Sequence, residues 1–220
     1  THRKIISYQL LPGAKFGDLE RYGLGYAQLK KLNPGLIYCS VTGFGHTGPW
    51  RERPGYDFMI QGMGGLMSIT GERDDRPGGG PQKAGIPIAD LITGMYASIA
   101  VCAALAHRAK SGAGQHLDLA LLDSLVAVLA NQGANYLATG SPPARLGNDH
   151  PNIAPYQVFQ CADGGIAIGG GNPAAWARIC EVLGQPQWLR DERFQTPQSR
   201  VRHQGELQAL IEAVLAAGPV

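Results

Sequence analysis

Asp90 is flanked by Ile86, Pro87, Ile88 and Ala89 on one side and by Leu91 and Ile92 on the other, and an apolar stretch follows it. Burial among such neighbours raises a carboxylate's pKa, whereas a place at a helix start favours the anion, so two influences oppose each other. A desolvated carboxylate at a helix N-terminus can serve as a nucleophile. An aspartate there can equally be an N-cap that accepts from helix N–H groups. Local sequence leaves both roles open.

Other residues offer weaker chemistry. Tyr56-Asp57 sets a phenol and a carboxylate at the start of an expected helix, where capping is the plainer role for Asp57. Gly169-Gly170-Gly171 lies between an expected strand and helix, and can present bare backbone N–H groups to an anion, close as a flap, or simply turn the chain. It lacks the G-x-G-x-x-G spacing and following acid of a dinucleotide site. The six histidines show no metal-like spacing, and none pairs visibly with a Ser or Cys nucleophile. Cys39, Cys102, Cys161 and Cys180 stand far apart with no C-x-x-C pair. They read as free thiols in a reducing, cytoplasmic compartment, with neither a zinc site nor a disulfide framework. Met63 and Met67, at i and i+4, read as core.

The elements that must position these groups follow from periodicity and breakers. Residues 24–33 read as a short amphipathic helix stopped by Pro34-Gly35, and Leu36 to Thr42 as an apolar, β-branched strand. The loop Thr42 to Pro49 then falls at a strand's carboxyl end, where open α/β sheets place ligands. A helix is expected over Tyr56 to Ile69, weakened by Gly62, Gly64 and Gly65, and an exposed loop over residues 72–83. A long helix from Leu91 to Ser111 follows Asp90, then a strand at His116 to Leu121 and a helix from about Asp123 to Leu137. Past a turn-rich stretch, Tyr156 to Gln160 and Gly165 to Gly169 flank Ala162-Asp163-Gly164 as a hairpin. Helices are expected over Pro173 to Leu183 and from about His203 to Leu215.

With 220 residues, 44% of them hydrophobic and 16% charged, the chain has the composition of a globular protein with one substantial core or two small ones. A net charge of +2 with scattered Lys and Arg gives no basic stripe, so no nucleic-acid partner is expected. Ile86 to Ala106 is the most apolar stretch, but it is built mostly of small residues and carries Asp90 near its start. It reads as a buried helix, with no membrane span expected.

Taken together, these segments resemble the class III CoA-transferases, the family of formyl-CoA and carnitine CoA-transferases. The resemblance rests on seven ordered motifs: Tyr22-Gly23-Leu24-Gly25-Tyr26, Asn33-Pro34-Gly35-Leu36-Ile37-Tyr38-Cys39-Ser40, Thr42-Gly43-Phe44-Gly45-His46-Thr47-Gly48-Pro49, Arg53-Pro54-Gly55-Tyr56-Asp57, Gly64-Gly65-Leu66-Met67, Asp90-Leu91-Ile92-Thr93-Gly94-Met95-Tyr96 and Gly112-Ala113-Gly114-Gln115. These motifs run from Tyr22 to Gln115, and the resemblance as a whole spans about residues 15–205.

The resemblance implies that Asp90 is the catalytic nucleophile, passing through a mixed anhydride and an aspartyl-CoA thioester. Coenzyme A thioesters would be substrates, with no tightly bound cofactor and no metal. Lys15 and Arg21 match positions that contact CoA phosphates in relatives; Tyr56, Asp57, Gly169, Gly170 and Gly171 would contact substrate, the glycines as a mobile loop. Asn148 to Gln157 and Gly169 to Asn172 look most like members that use succinyl-CoA and a dicarboxylate such as glutarate. The α-methylacyl-CoA racemases share the fold, but carry His-Asp where this chain has Tyr56-Asp57, and the missing imidazole argues against proton transfer.

The fold implied is α/β: residues 1–140 as part of a large Rossmann-like domain with an open parallel sheet, residues 141–155 as a linker, and residues 156–220 as part of a small α+β domain. Complete family members form interlocked homodimers. Residues 1–14 do not match the family, and its opening strand and its return to the first domain are not represented, so a fragment truncated at both ends is expected. A catalytically silent fragment therefore stands beside the enzyme as the second reading.

Overall fold

The computed structural model describes residues 17–216 and the backbone of residues 5–7. Three short strands pair in parallel, and the joining segments supply the helices that any parallel crossover requires. Strand β1 (Ile5–Ser7) leads through a 3-10 turn at Glu20–Tyr22 and helix α1 (Tyr26–Leu32) to β2 (Ile37–Thr42). Then come α2 (Asp57–Met63), α3 (Leu66–Ile69) and α4 (Ile88–Ser111), ahead of β3 (His116–Ala120), α5 (Leu121–Ala127) and α6 (Ala130–Thr139). The sheet order is β1-β2-β3, with Ile5 opposite Ile37 and Tyr38 opposite His116. Strand β2 is buried along nearly its whole length, as a central parallel strand should be.

The second half is α+β. Strands β4 (Tyr156–Gln160) and β5 (Gly165–Gly169) form the expected antiparallel hairpin, and helices α7 (Pro173–Val182), α8 (Pro197–Arg202) and α9 (Gln204–Leu215) follow, with a 3-10 turn at Pro186–Leu189. The short helix α8 was not expected from periodicity. Its start is written locally all the same: Thr196 and Ser199 form a reciprocal capping box around Pro197.

The chain divides into two compact units, residues 1–71 with 79–145, and residues 72–78 with 146–220. The Glu72–Gly78 segment joins the second unit, where Arg73 pairs with both Asp75 and Asp149. In the first unit Ile60, Ala89, Leu121 and Leu125 form a core with Val41, Phe44 and Leu66 against it. In the second, Phe159, Trp176, Cys180, Trp188, Phe194, Leu207 and Ile211 pack together, with the two indoles stacked. Arg200 lies fully buried beside this core, donating to the Ala154 and Phe194 carbonyls with its guanidinium over Trp176.

Several expectations about helices are corrected. The Tyr56–Ile69 helix is two helices, because Gly65 adopts φ +85°, a left-handed conformation open to glycine. Met63 and Met67, expected in the core, therefore fall on different helices, and Met63 is exposed. The helix expected from Asp123 to Leu137 starts earlier and breaks near Val128, leaving Ala130 at positive φ. The long helix begins at Ile88 instead of Leu91. Nor is it a buried helix: Ala89, Ile92, Thr93 and Ala104 face the unit, while Leu91, Met95 and Ile99 are at least half exposed. By length and composition α4 could cross a membrane, but it packs along β2, β3, α2 and α5 as a domain helix does.

Candidate functional site

Because α4 starts at Ile88, Asp90 sits inside its first turn and not at the N-cap, which is Pro87. Capping is done from another element. The Ala89 N–H donates to Asp57 Oδ1 at 2.8 Å, and Gln61 Nε2 donates to Asp57 Oδ2 at 2.6 Å. Both oxygens of Asp57 are thereby occupied. Asp90 accepts no hydrogen bond among the described residues, and its side chain is exposed, contrary to the burial expected from its neighbours. Enough protein surrounds it even so for desolvation, followed by the Asp57 charge, to hold its carboxyl above the usual carboxylate range. The cap role that local sequence left open for Asp90 therefore belongs to Asp57. An unbonded, more basic carboxylate remains at a helix start, with its lone pairs available to attack.

The loops that bring Asp57 to α4 depend on two glycines. A Cβ on Gly43 would stand 2.5 Å from the Cα of Gly55, backbone against backbone, so the Thr-Gly-Phe turn after β2 can lie directly on the Pro-Gly-Tyr turn before α2. Tyr56, the N-cap residue of α2, is half exposed next to Asp57. Arg21 lies in the 3-10 turn, paired with Asp18 at 3.7 Å and stacked over Tyr22, its side chain largely in solvent. Lys15 lies outside the described residues.

The glycine run belongs to the second unit and is only partly bare. Gly169 ends β5 opposite Tyr156, and the Gly170 N–H is already donated to the Pro155 carbonyl at 2.7 Å. A cavity of about 280 Å³ beside the hairpin is lined by Asn148, Tyr156, Val158, Ala167 and Gly169 among others. Gly169 is thus gathered with residues of the Asn148–Gln157 segment.

Two arrangements were missed from sequence. Gln61 is fully buried, and its spacing of four from Asp57 was the available signal. The other is a Ser–His pair, which overturns the expectation that no histidine meets such a hydroxyl: Ser40 Oγ lies 2.8 Å from His116 Nε2 across β2 and β3. The space beside Ser40 is about 20 Å³, room for a water molecule and not for a substrate. Burial, and next the neighbouring His46, hold the His116 imidazole below its ordinary value of 6.5, against the opposite pull of Asp118 and Glu20. A depressed histidine contributes stability that is present above about pH 6.5 and lost as pH falls through its lower folded value. Urea melts are expected to weaken with acid over that range, and His116→Asn to flatten this dependence.

The buried thiols are poor nucleophiles, Cys39 being raised by burial and Cys180 pushed up to about 11 chiefly by burial. Among the described residues no three His, Cys, Asp or Glu side chains cluster to hold a metal ion.

Comparison with known proteins finds CoA-transferases among the proteins this chain resembles. Over 197 residues the chain is 52% identical to a succinate–glutarate CoA-transferase of Agrobacterium fabrum, covering 90% of this chain and 48% of that protein. It is 40% identical to the succinyl-CoA:glutarate CoA-transferase of Mus musculus, covering 91% of this chain and 45% of the mouse protein. A solved CAIB/BAIF family protein from Brucella suis superposes with a TM-score of 0.73 at 52% identity, covering 92% of this chain and 52% of that one. A Mycobacterium tuberculosis protein does so at 0.80 and 31% identity, covering 97% and 54%. The chain spans about half the length of the curated relatives it matches. The family model matches residues 10–220, so residues 10–14, expected to fall outside the resemblance, lie within it, and the chain belongs to CoA-transferase family III.

Proposed function

We propose that the protein carrying this chain moves CoA from an acyl-CoA donor, succinyl-CoA, to a dicarboxylate acceptor, with Asp90 as the nucleophile. The observation that carries this is the contrast between the two carboxylates: Asp57 has both oxygens hydrogen-bonded, and Asp90 has none among the described residues. An Asp90 oxygen attacks the donor carbonyl, the C–S bond breaks, and CoA leaves as the thiolate. The thiolate then attacks the Asp90 carbonyl of the mixed anhydride, forming an aspartyl-CoA thioester and releasing the donor acid. The acceptor carboxylate attacks this thioester and expels the thiolate once more. The thiolate finally attacks the acceptor carbonyl of the new anhydride, which gives the acceptor thioester and restores Asp90. The names of the relatives support the succinyl donor and the dicarboxylate acceptor.

Both covalent intermediates hydrolyse, so the site has to exclude water. The exposure of Asp90, Leu91 and Met95 in this chain supports a second reading, in which the chain alone is silent and its site is closed by further protein. A homodimer of the complete protein, the Gly169–Gly171 run as a moving cover, CoA contacts by Lys15 and Arg21, and a reducing, cytoplasmic setting complete the proposal.

Mass spectrometry after incubation with succinyl-CoA, with hydroxylamine added as a trap, is the direct test. An adduct mapped to Asp90 is expected in the complete protein. An adduct on another carboxylate, or transfer without one, overturns the mechanism; absence from the isolated chain alone supports the second reading.

A further inference from the structure

Gln61 has no solvent exposure and uses its amide fully. Its Nε2 donates to Asp57 Oδ2 at 2.6 Å and to the Ile86 carbonyl at 3.3 Å, while its Oε1 accepts from the Ala84 N–H at 2.8 Å. The orientation follows from the partners. Reversed, the amide would set oxygen against two acceptors and N–H against a donor. One side chain on α2 thus grips the Ala84–Ile86 approach to α4 at two points and the capping carboxylate at a third. Asp57 passes the constraint to the Ala89 N–H, one residue before Asp90. From within α4, buried Thr93 donates to the Ala89 carbonyl at 2.7 Å, so both faces of that turn are bonded.

We propose that Gln61 is a positioning residue for transfer: it holds Asp57 on the α4 cap, and this keeps the Asp90 carboxylate unbonded and aimed outward. The inference rests on the reading of Asp90 as nucleophile. Gln61 itself touches no reacting atom. Its function requires an amide, because only a group with a donor toward Asp57 and an acceptor toward Ala84 satisfies both sides. An ionised carboxylate of the same shape would put two anions against each other and free Asp57 from its partner. The protonated acid would restore both bonds, with its hydroxyl donating to Asp57.

Gln61→Glu in the full-length protein is therefore the informative substitution. The charged groups on the elements packed against α2 that bear on the introduced acid are Asp57, Asp90 and, on α5, Asp123. Lys83, which donates to the Ala84 carbonyl, opposes them. At pH 8 kcat is expected to fall about 10- to 100-fold, with the KM for the acyl-CoA donor within about twofold, as for loss of a hydrogen bond to a charged group. As pH falls and the introduced acid protonates, kcat is expected to recover toward the parent's profile. Gln61→Met, which cannot protonate, should show the loss at every pH. An unchanged kcat in both variants overturns the proposal, as does a loss that follows only the folded fraction.

Should neither variant fold, hydrogen exchange in the unaltered protein decides. The Ala89 amide is expected to be protected like the amides inside α4, and exchange at the rate of an exposed helix start overturns the proposal. Asp90→Ala measured in parallel separates the two failures. Transfer retained in Asp90→Ala removes the nucleophile reading itself, whereas transfer lost there but intact in Gln61→Glu removes only the positioning role.

Discussion

Asp90→Ala in the complete protein is expected to lower CoA transfer by roughly four orders of magnitude or more, the scale seen when a covalent nucleophile is removed. Binding of CoA is expected to persist, since Asp90 engages no other described residue by hydrogen bond and its loss disturbs no packing. Steady-state transfer from succinyl-CoA to glutarate, with CoA affinity by calorimetry, checks both halves. Retained transfer would sink the mechanism. Asp90→Asn tests the electrostatics of the same site. Because the Asp90 carboxyl is raised above its ordinary 3.8, its contribution to stability is present below that value and lost as pH rises through the folded one. At neutral pH the ionised group opposes folding. Asp90→Asn is thus expected to melt slightly higher than the parent at pH 7 but not at pH 3. The gain should stay below about 1 kcal/mol, since the side chain is solvent-screened. A more stable but inactive variant is the signature of a site held against its own stability.

Gly114→Ala is expected to be the most damaging single methyl in the first unit. A Cβ there would fall onto the Leu36 carbonyl and the Gly35 carbonyl carbon, closer than atoms can approach. The obstacle is backbone, so no side chain can swing aside. The same place is held by the Gly114 N–H donating to the Pro34 carbonyl at 2.9 Å and by Arg108 donating to the Gly35 carbonyl at 3.0 Å. These contacts tie the exit of α4 to the entry of β2. A loss above about 3 kcal/mol is expected from urea unfolding, the range of severe core strain. Gly94→Ala serves as the control. Gly94 lies within α4 with nothing near its missing Cβ, so alanine should stabilise by up to about 1 kcal/mol. Equal tolerance of both substitutions would mean that the α4–β3 connection does not lie on β2 as described.

Much of this protein was readable before its structure. Strand β2 is a continuous apolar run between Pro34-Gly35 and a glycine loop, and the β4–β5 hairpin is two alternating runs around Ala162-Asp163-Gly164. Such elements are specified by neighbours along the chain, and the family motifs are local strings whose order alone pointed to CoA-transferase family III. The location of Asp90 at the start of α4 was legible for the same reason. What the sequence left undetermined was every property that depends on chain segments brought together from a distance. Asp57 caps a helix that begins 31 residues after it, Gln61 bonds to Ala84 and Ile86, and Ser40 meets His116 across two strands. Burial misled in the same way: Asp90 stands among apolar residues in sequence, yet the turns of α4 carry Ala89, Ile92 and Thr93 inward and leave Asp90, Leu91 and Met95 facing out. Local sequence determines which backbone conformations are cheap and which residues have reactive groups. Only the tertiary structure decides which donor reaches which acceptor, because a hydrogen bond is set by distances of a few ångström that spacing along the chain does not encode.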